Sequence, residues 1–284
     1  MSHFDMHDDD HDQGLAFDLK TLVERRHVLG LFGLAGAGVL LAGCDIGGPP
    51  ANAEANTTAA TAEGGVCIKD PTETSGPFPG DGTNSKSSQI VNVLTETGVV
   101  REDIRTSFAG MTPVAEGTQF DLAISLVDVS KACAPLAGHA VYIWHCDKDG
   151  KYSLYDTEDR NYLRGVGVTD ASGVVKFTTI FPGCYDGRWP HIHFEVFASA
   201  EKAVSGGDSL LISQFALPGD IAKSLYADDA AYQSSVSNLA ATSLNGDMVF
   251  ADNTPEQIAA QTPKITGDNA SGFKGAVTVG IMSA

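Results

Sequence analysis

The sequence predicts a mostly β protein, a single β-sandwich domain with a few short helices. The segment QFDLAISLVD (119–128) alternates apolar and polar residues, which predicts a half-buried strand with every second residue from Phe120 to Leu126 facing the core. Further β-rich segments are separated by turn residues at intervals of roughly ten positions, a spacing typical of sandwiches and barrels. Helical patterning is weak and is confined to residues 220–239, which can hold one or two short helices.

Four other segments have the composition of strands. They are HAVYIWHCD (139–147), GVGVTDASGVVKFTTI (165–180), LLISQFA (210–216) and GAVTVGIM (275–282). The first of them ends at the turn cluster DKDG. The second is predicted to be a β-hairpin whose turn is formed by Asp170–Gly173.

Residues 1–43 are predicted to be a twin-arginine lipoprotein signal peptide. Arg25 and Arg26 precede an apolar run of about sixteen residues, which is shorter than the roughly 20 residues that a transmembrane helix needs. The run ends in LAGC, which resembles a bacterial lipobox with Cys44 as the lipidated residue. We therefore expect an exported, membrane-anchored lipoprotein that faces the periplasm or the cell exterior.

Residues 44–65 are predicted to be a flexible linker. The stretch consists of small and polar residues without an apolar period, so it cannot bury enough surface to offset the entropy of ordering. The folded domain is expected to span residues 66–284, which is long enough for one sizeable core.

The charge of the chain excludes several classes of partner. The full sequence carries a net charge of −18, and removing residues 1–43, with seven acidic and three basic residues, leaves about −14. Because no basic patch is present, the sequence predicts no nucleic-acid partner and no charge-driven membrane binding. Contact with a membrane is expected only through the lipid anchor at Cys44.

Four cysteines remain in the predicted domain: Cys67, Cys133, Cys146 and Cys184. In an oxidising compartment four cysteines suggest two disulfides, and the sequence leaves the three possible pairings open. They form no CxxC pair, so a structural zinc site is not expected.

The segment HIHFEVF (191–197) places two histidines on one face of a predicted strand. Side chains two positions apart share a face, so His191 and His193 lie side by side while the apolar residues between them face the core. Such a pair is either a hydrogen-bonded polar patch or part of a metal site.

Two common metal sites with paired histidines do not fit this sequence. A cupin needs a glutamate three or four residues further on and a third histidine downstream, but Glu195 is too close and no histidine follows His193. A two-histidine-one-carboxylate iron(II) site needs HxD or HxE with a distant histidine. The remaining domain histidines, His139 and His145, lie upstream and are predicted to be ordinary polar residues that flank a strand.

Tyrosines lie near this pair in the sequence. Tyr185 precedes the first histidine by six residues in PGCYDGRWPHIHF, and Tyr152 follows a predicted strand end in DKDGKYS. From the residues alone, Tyr155 or Tyr162 would serve as well as Tyr152, and Arg188 would be a solvated loop charge.

Several blocks together resemble the intradiol ring-cleavage dioxygenases, the family of protocatechuate 3,4-dioxygenase and catechol 1,2-dioxygenase. The blocks that carry the resemblance are, in order, SGPF, REDIR, VYIWHCDKDGKYSLYD, LRGVGVTDASGVVKFTTIFPGCY, RWPHIHF and ISQF. They cover most of the predicted domain, and so many blocks in the same order make chance agreement improbable.

The resemblance implies a mononuclear non-haem iron(III) centre. Its implied ligands are Tyr152, Tyr185, His191 and His193. By the same resemblance Tyr185 and His191 form the axial pair, and the other two ligands share the equatorial plane with a hydroxide. Arg188 and Gln214 match family positions that line the substrate pocket, so they and Tyr185 are the implied catalytic residues.

The donor set agrees with iron(III). Two phenolate oxygens are hard anionic ligands that favour the trivalent ion, and a trivalent cation ionises a phenol whose ordinary pKa is near 10. The implied reaction is the cleavage of a catecholic aromatic by O2 to a muconate-type diacid. Two alternatives stay open: a non-catalytic exported module that binds a ligand or partner on the same sandwich, and an enzyme that holds a different metal through the same histidines.

Overall fold

The computed structural model describes residues 59–60 and 66–282. The predicted signal peptide, the lipid anchor at Cys44 and most of the predicted linker lie outside the described residues. Within the described part, no helix is both long enough and apolar enough to cross a membrane.

The described residues form thirteen strands and four α-helices. The strands are β1 (Ala59–Ala60), β2 (Val66–Cys67), β3 (Asp81–Lys86), β4 (Gln89–Asn92), β5 (Gln119–Asp128), β6 (Ala134–Pro135), β7 (Ala140–Trp144), β8 (Arg164–Val168), β9 (Val174–Ile180), β10 (His191–Phe197), β11 (Leu211–Ala216), β12 (Lys264–Asp268) and β13 (Gly272–Ile281). The helices are α1 (Ala200–Val204), α2 (Gly219–Asp228), α3 (Gln233–Ala241) and α4 (Pro255–Gln261).

Two sheets form the sandwich that the sequence predicts. The first sheet has the strand order β8-β7-β10-β11, and the second has the order β12-β13-β5, with β9 and β6 both pairing along the other edge of β5. Apolar side chains of both sheets pack into one buried core. The predicted fold class, mostly β with a few short helices, is confirmed.

On β5 and β10 every second side chain faces the main core. Every second residue from Phe120 to Leu126 is buried in the main core, as the alternating pattern predicts. On β10 the core face is formed by Ile192, Phe194 and Val196. Their polar neighbours on β10 therefore lie on the opposite face of the first sheet.

The predicted hairpin over residues 165–180 is wrong. Its two strands, β8 and β9, form at the expected positions around the turn Asp170–Gly173, but β8 pairs with β7 and β9 pairs with β5. The turn therefore carries the chain from one sheet to the other, and Gly173, with φ +75°, supplies the left-handed residue that the turn needs. Local sequence marks strands and turns, but the sheet that each strand joins depends on contacts far away in sequence.

The helix prediction is confirmed over residues 220–239, where α2 and α3 form. The sequence analysis missed α1, α4, β12 and the β3–β4 hairpin. For α4 a signal was present: Pro255 is the first helical residue, and Thr254 and Gln257 form a capping box.

The first sheet is buried on both faces. Its outer face packs against residues of the N-terminal part of the domain, among them Phe78, Val93, Leu94 and Val99. Polar side chains that point to this face from β7, β8, β10 and β11 are consequently held away from bulk water.

The expectation of two disulfides is half wrong. Cys67 and Cys133 form one disulfide, but Cys146 and Cys184 are free, buried thiols. The thiol of Cys146 donates to the carbonyl of Gly183, and the thiol of Cys184 donates to the carbonyl of Arg188. Each buried thiol thus has a hydrogen-bond acceptor of its own without a disulfide.

Removing the disulfide is expected to destabilise the domain. Cys67 and Cys133 are 66 positions apart, and closing a loop of that length restricts the unfolded chain by about 4 kcal/mol. The double variant Cys67→Ser, Cys133→Ser should therefore unfold at a lower urea concentration than the wild-type protein. Reduction of the wild-type protein should have the same effect, whereas equal midpoints for the oxidised and reduced proteins would contradict the prediction.

Candidate metal centre

One row of registered residues crosses the whole first sheet. Gln214 on β11 pairs with His193 on β10, His193 pairs with Trp144 on β7, and Trp144 pairs with Arg164 on β8. Registered neighbours on adjacent strands project to the same face, so this row forms the floor of a buried polar site. His191, two positions before His193, lies on the same face.

A tight turn after β7 brings Tyr152 onto this floor. The carboxylate of Asp147 accepts hydrogen bonds from the backbone N–H groups of Asp149 and Lys151, both at 3.0 Å. Gly150 has φ +77°, and a Cβ atom there would lie 3.0 Å from Cβ of Tyr185. The turn that carries one tyrosine therefore packs directly against the backbone of the other.

Helix α3 fixes the loop that carries Tyr185. The hydroxyl of Ser235 accepts a hydrogen bond from the backbone N–H of Cys184 at 2.8 Å, and the amide of Asn238 donates to the Cys184 carbonyl at 2.8 Å. Tyr185 is thereby held over the floor, and it is half-buried where the other three members of the site are buried.

Four side-chain atoms converge at one point. His191 Nε2 lies 3.1 Å from His193 Nε2, 3.3 Å from Tyr152 Oη and 3.3 Å from Tyr185 Oη. His193 Nε2 lies 3.2 Å from Tyr152 Oη. These are the four residues that the sequence analysis named as ligands, and the structure brings all of them together.

The cluster contains more close polar contacts than its donors and acceptors can turn into hydrogen bonds. Nδ1 of His191 lies 2.5 Å from the Trp189 carbonyl, so it carries the ring proton and leaves Nε2 with a lone pair. A single lone pair then faces three polar atoms at hydrogen-bond distance. A histidine that donates its other N–H to a backbone carbonyl is the usual arrangement of a metal ligand.

Burial favours the uncharged forms of His191, His193 and Tyr152. Desolvation lowers the pKa of His191 to about 3 and that of His193 well below its ordinary value, and it raises the pKa of Tyr152 well above its ordinary value. The imidazoles consequently retain their lone pairs even in mildly acidic solution, and Tyr152 retains its proton unless a cation replaces it.

The residues fit a metal ion in distance as well as in chemistry. Two donors at adjacent positions around one first-row ion, with bonds of about 2.1 Å, lie about 3.0–3.4 Å apart, and four separations within the cluster are 3.1–3.3 Å. The 3.3 Å between Tyr185 Oη and His191 Nε2 is shorter than the about 4.2 Å of the opposed axial pair that the resemblance implies. Within the described residues, no group of three His, Cys, Asp or Glu side chains could hold a metal ion. The candidate centre instead combines two imidazoles with two phenols, which is a donor set for a hard, high-valent ion.

Arg188 is not the solvated charge that its loop position suggests. It is fully buried, its Nη2 donates to Gln214 Oε1 at 2.7 Å, and its Nη1 lies 3.5 Å from Tyr185 Oη. Asp247 accepts from its Nε at 3.0 Å and from the backbone N–H of Trp189 at 2.6 Å. A positive charge is thus fixed beside the phenol oxygen of the most accessible member of the cluster.

Gln214 is oriented from both sides. Its amide oxygen accepts from Arg188, and its amide nitrogen donates to the Thr74 carbonyl at 2.8 Å. Both residues that the sequence analysis placed in the substrate pocket therefore lie next to the four-residue cluster.

The other candidates of the sequence analysis lie outside the cluster. Tyr155 Oη donates to Asn84, and Tyr162 Oη donates to Asp147. His145 is buried between the Cys146 carbonyl and the Thr179 hydroxyl. These contacts leave Tyr152 as the tyrosine of its loop that reaches the cluster.

Sequence analysis missed two supporting residues. Trp144 stacks on His193 with ring centroids 4.8 Å apart and an interplanar angle of 6°, and Asp247 forms the ion pair with Arg188. Trp144 lies in a block quoted for the family resemblance, but a strand tryptophan gives no signal of the ring that it contacts. Asp247 lies in a stretch without any motif, and only the tertiary contact identifies it.

The described residues form a β-sandwich with a candidate centre of two tyrosines and two histidines. A family model described as "Dioxygenase" matches residues 100–263, more than half of the chain. The chain therefore belongs to this dioxygenase family, and the motifs of its sequence agree with the intradiol members.

Solved structures agree with this assignment at the level of the fold. An intradiol ring-cleavage dioxygenase from Tetranychus urticae is 23% identical over 76% of this chain and 95% of its own, with a TM-score of 0.55. The dioxygenase domain of a carbohydrate-binding fusion protein from Streptomyces sp. SirexAA-E is 20% identical over 76% and 99% of the two chains, with a TM-score of 0.43. Catechol 1,2-dioxygenase from Pseudomonas arvilla C-1 is 19% identical over 75% and 62%, also at 0.43. The argument for the fold rests on the first of these, and no curated protein matches the sequence.

Proposed function

We propose that this protein is an iron(III)-dependent intradiol dioxygenase that cleaves a catecholic aromatic ring with O2. The observation that carries the proposal is the convergence of two phenol oxygens and one imidazole nitrogen, each within 3.3 Å of Nε2 of His191. In the proposed reaction the bond between the two oxygen-bearing carbons breaks, and the two atoms of O2 end in the two carboxylates of a muconate-type diacid. Catechol and O2 are the proposed small-molecule partners.

The residues of the chain would hold the ion as follows. His191 and His193 supply neutral imidazole nitrogens, and Tyr152 and Tyr185 supply phenolate oxygens. Iron(III), when bound, supplies a Lewis acid that ionises the phenols and draws electron density from a chelating catechol. Three of these four residues are buried, and Tyr185 is half-buried.

Tyr185 is proposed to accept a proton from the substrate, and Arg188 is proposed to stabilise negative charge on the substrate oxygens. Tyr185 is the half-buried member of the cluster, so an incoming catechol reaches it first, and its phenol oxygen is placed to take up a catechol proton. The guanidinium of Arg188, 3.5 Å from that oxygen, is fixed before the substrate arrives and stabilises negative charge that develops on the substrate oxygens. Gln214 accepts from Nη2 of this guanidinium at 2.7 Å and holds it in place.

The proposal predicts the visible spectrum of the iron-loaded full chain. Tyrosinate bound to iron(III) should give a broad charge-transfer band, catechol added without oxygen should shift the band to longer wavelength, and admitting air should bleach it with consumption of O2. Tyr185→Phe should change the band, whereas Tyr232→Phe, whose hydroxyl accepts from the Thr118 amide and donates to the Phe181 carbonyl, should leave it unchanged.

Two other outcomes of this experiment would contradict parts of the proposal. A band that catechol does not shift would retain the iron site and reject catechol as the substrate. A protein that stays colourless after incubation with iron would reject the centre itself and would favour a binding module on the same sandwich.

A further inference from the structure

Arg164 is a buried cation at the end of the row that forms the floor of the site. It is fully buried at the first position of β8, where it pairs with Trp144, the tryptophan that stacks on His193. A buried guanidinium carries a large desolvation penalty, which its surroundings have to offset with well-placed acceptors. The acceptors of its hydrogen bonds identify the segments that Arg164 connects.

Arg164 ties together two segments that are far apart in the sequence. Towards the loop of Tyr152, its Nε donates to the hydroxyl of Ser153 and its Nη2 donates to the Ser153 carbonyl, both at 3.0 Å. Towards the N-terminal segment, its Nη1 donates to the carbonyls of Phe78 and Pro79, both at 2.9 Å. One planar group therefore spans the two segments with a fork of charge-assisted hydrogen bonds.

Both of these segments contact the ring of Tyr152. Ser153 is its neighbour in sequence, and the ring of Phe78 lies 4.8 Å from the Tyr152 ring, centroid to centroid. On its other side the Tyr152 ring meets His193 edge-on at 6.1 Å. The Tyr152 ring therefore contacts both His193, a residue of the floor, and Phe78, whose segment is held by hydrogen bonds to Arg164.

We propose that Arg164 is a positioning residue for Tyr152, which sets the direction of its phenol oxygen towards His191 and His193. The inference rests on the proposed function, because the phenol has to be aimed only if it is a ligand. Arg164 touches no reacting atom and acts through Ser153 and the Phe78–Pro79 segment.

The first test uses the metal-free full chain and does not depend on iron. Arg164→Met should make the amides of Phe78, Gly80 and residues 152–156 exchange with solvent at least about tenfold faster, and both segments should change together because one side chain holds them. Arg164→Lys should behave like the Met variant, since a single ammonium cannot span four acceptors. Wild-type exchange in the Lys variant would show that the charge alone matters and would overturn the proposal.

Arg101, in the irregular segment that runs beside β8, offers a matched control. Its guanidinium is half-buried and donates to the carbonyl of Arg164 at 2.7 Å, but its other acceptors are the carbonyls of Ile104 and Thr106. Arg101→Met should therefore leave the exchange of Phe78, Gly80 and residues 152–156 unchanged. Equal loosening by Arg101→Met would indicate general destabilisation of β8 and would contradict the proposal.

The second test separates positioning from mere stability. In the iron-loaded protein, Arg164→Met and Arg164→Lys should shift the tyrosinate charge-transfer band at unchanged iron content, while Arg101→Met should not. If Arg164→Met does not fold, Ser153→Ala removes one acceptor of the fork and should shift the band in the direction seen with Arg164→Lys.

The outcomes distinguish this inference from the proposed function. A wild-type protein without any band would reject the proposed function and, with it, the role of Arg164. A wild-type band that none of the Arg164 and Ser153 variants shifts would reject the positioning role and would leave the proposed function intact.

Discussion

Replacing His193 by glutamine is expected to lower the affinity for iron by at least about 100-fold. Loss of a residue that only supports a metal ligand lowers metal affinity by up to about 100-fold, and loss of a ligand itself should cost at least as much. His193 Nε2 lies within 3.2 Å of both His191 Nε2 and Tyr152 Oη, so its lone pair belongs to the point where the four donors meet. The glutamine side chain cannot place a nitrogen lone pair at that point with the stacking support of Trp144. Iron content after gel filtration and the intensity of the charge-transfer band would measure the loss, and ring cleavage should disappear with it.

His145 provides the control for this experiment. It is as deeply buried as His193, but its ring nitrogens contact the Cys146 carbonyl and the Thr179 hydroxyl at 2.8 and 2.7 Å. His145→Gln should therefore retain iron even if the protein becomes less stable. Normal iron binding by His193→Gln, or an equal loss in both variants, would contradict the ligand assignment.

Replacing Asp247 by asparagine is expected to destabilise the fold by about 3–5 kcal/mol, the range found when one partner of a buried ion pair is removed. The ion pair joins Asp247 to Arg188 at 3.0 Å with both side chains fully buried. The same carboxylate accepts from the backbone N–H groups of Trp189 and Val249 at 2.6 and 2.8 Å. Neutralising it would leave the guanidinium buried without a counter-charge, and the midpoint of urea unfolding should fall at constant m.

The ion pair also predicts a pH dependence. Burial opposes ionisation of Asp247, but the Arg188 guanidinium and the Trp189 amide outweigh burial and hold the pKa of Asp247 below its ordinary value. The stabilisation is therefore present above the unfolded-state pKa of about 3.9 and is lost as the pH falls through the lower folded-state value. The wild-type protein should lose stability in that acidic range, and Asp247→Asn should lose less there because its stabilisation is already absent.

An exposed ion pair supplies the comparison. Asp103 and Arg105 lie 2.7 Å apart, but their side chains are 46% and 33% exposed. Asp103→Asn should therefore cost about 1 kcal/mol or less, because solvent already screens this pair. The double variant Arg188→Met, Asp247→Leu should regain part of the stability that Asp247→Asn loses, since no unpaired charge remains. Equal effects of Asp103→Asn and Asp247→Asn would contradict the role of burial.

The strands of the sandwich and the residue types of the site could be predicted from the sequence. The alternation in 119–128 is a local property of the chain, and it placed the core face of β5 correctly. The HIH spacing put His191 and His193 on one face for the same reason, since side chains two apart on a strand project together. The motifs around Tyr152 and Tyr185 named the remaining members of the cluster.

Only the tertiary structure decided how these pieces meet. The turn Asp170–Gly173 carries a local turn signal, but the assignment of β8 and β9 to different sheets follows from pairings with β7 and β5. Likewise only the structure shows that Cys146 and Cys184 are buried free thiols, each donating to a neighbouring backbone carbonyl.

Within the site, too, some features follow from the sequence and others only from the tertiary structure. The sequence by itself placed His191 and His193 on one face of a strand, because that depends only on spacing, whereas Tyr152 and Tyr185 were named by the resemblance of their motifs to a known family. The tertiary structure determined that Tyr152 reaches the cluster while Tyr155 does not, and that Asp247 and Arg164 support the site. Those choices depend on contacts between segments up to 86 positions apart, which no local pattern records.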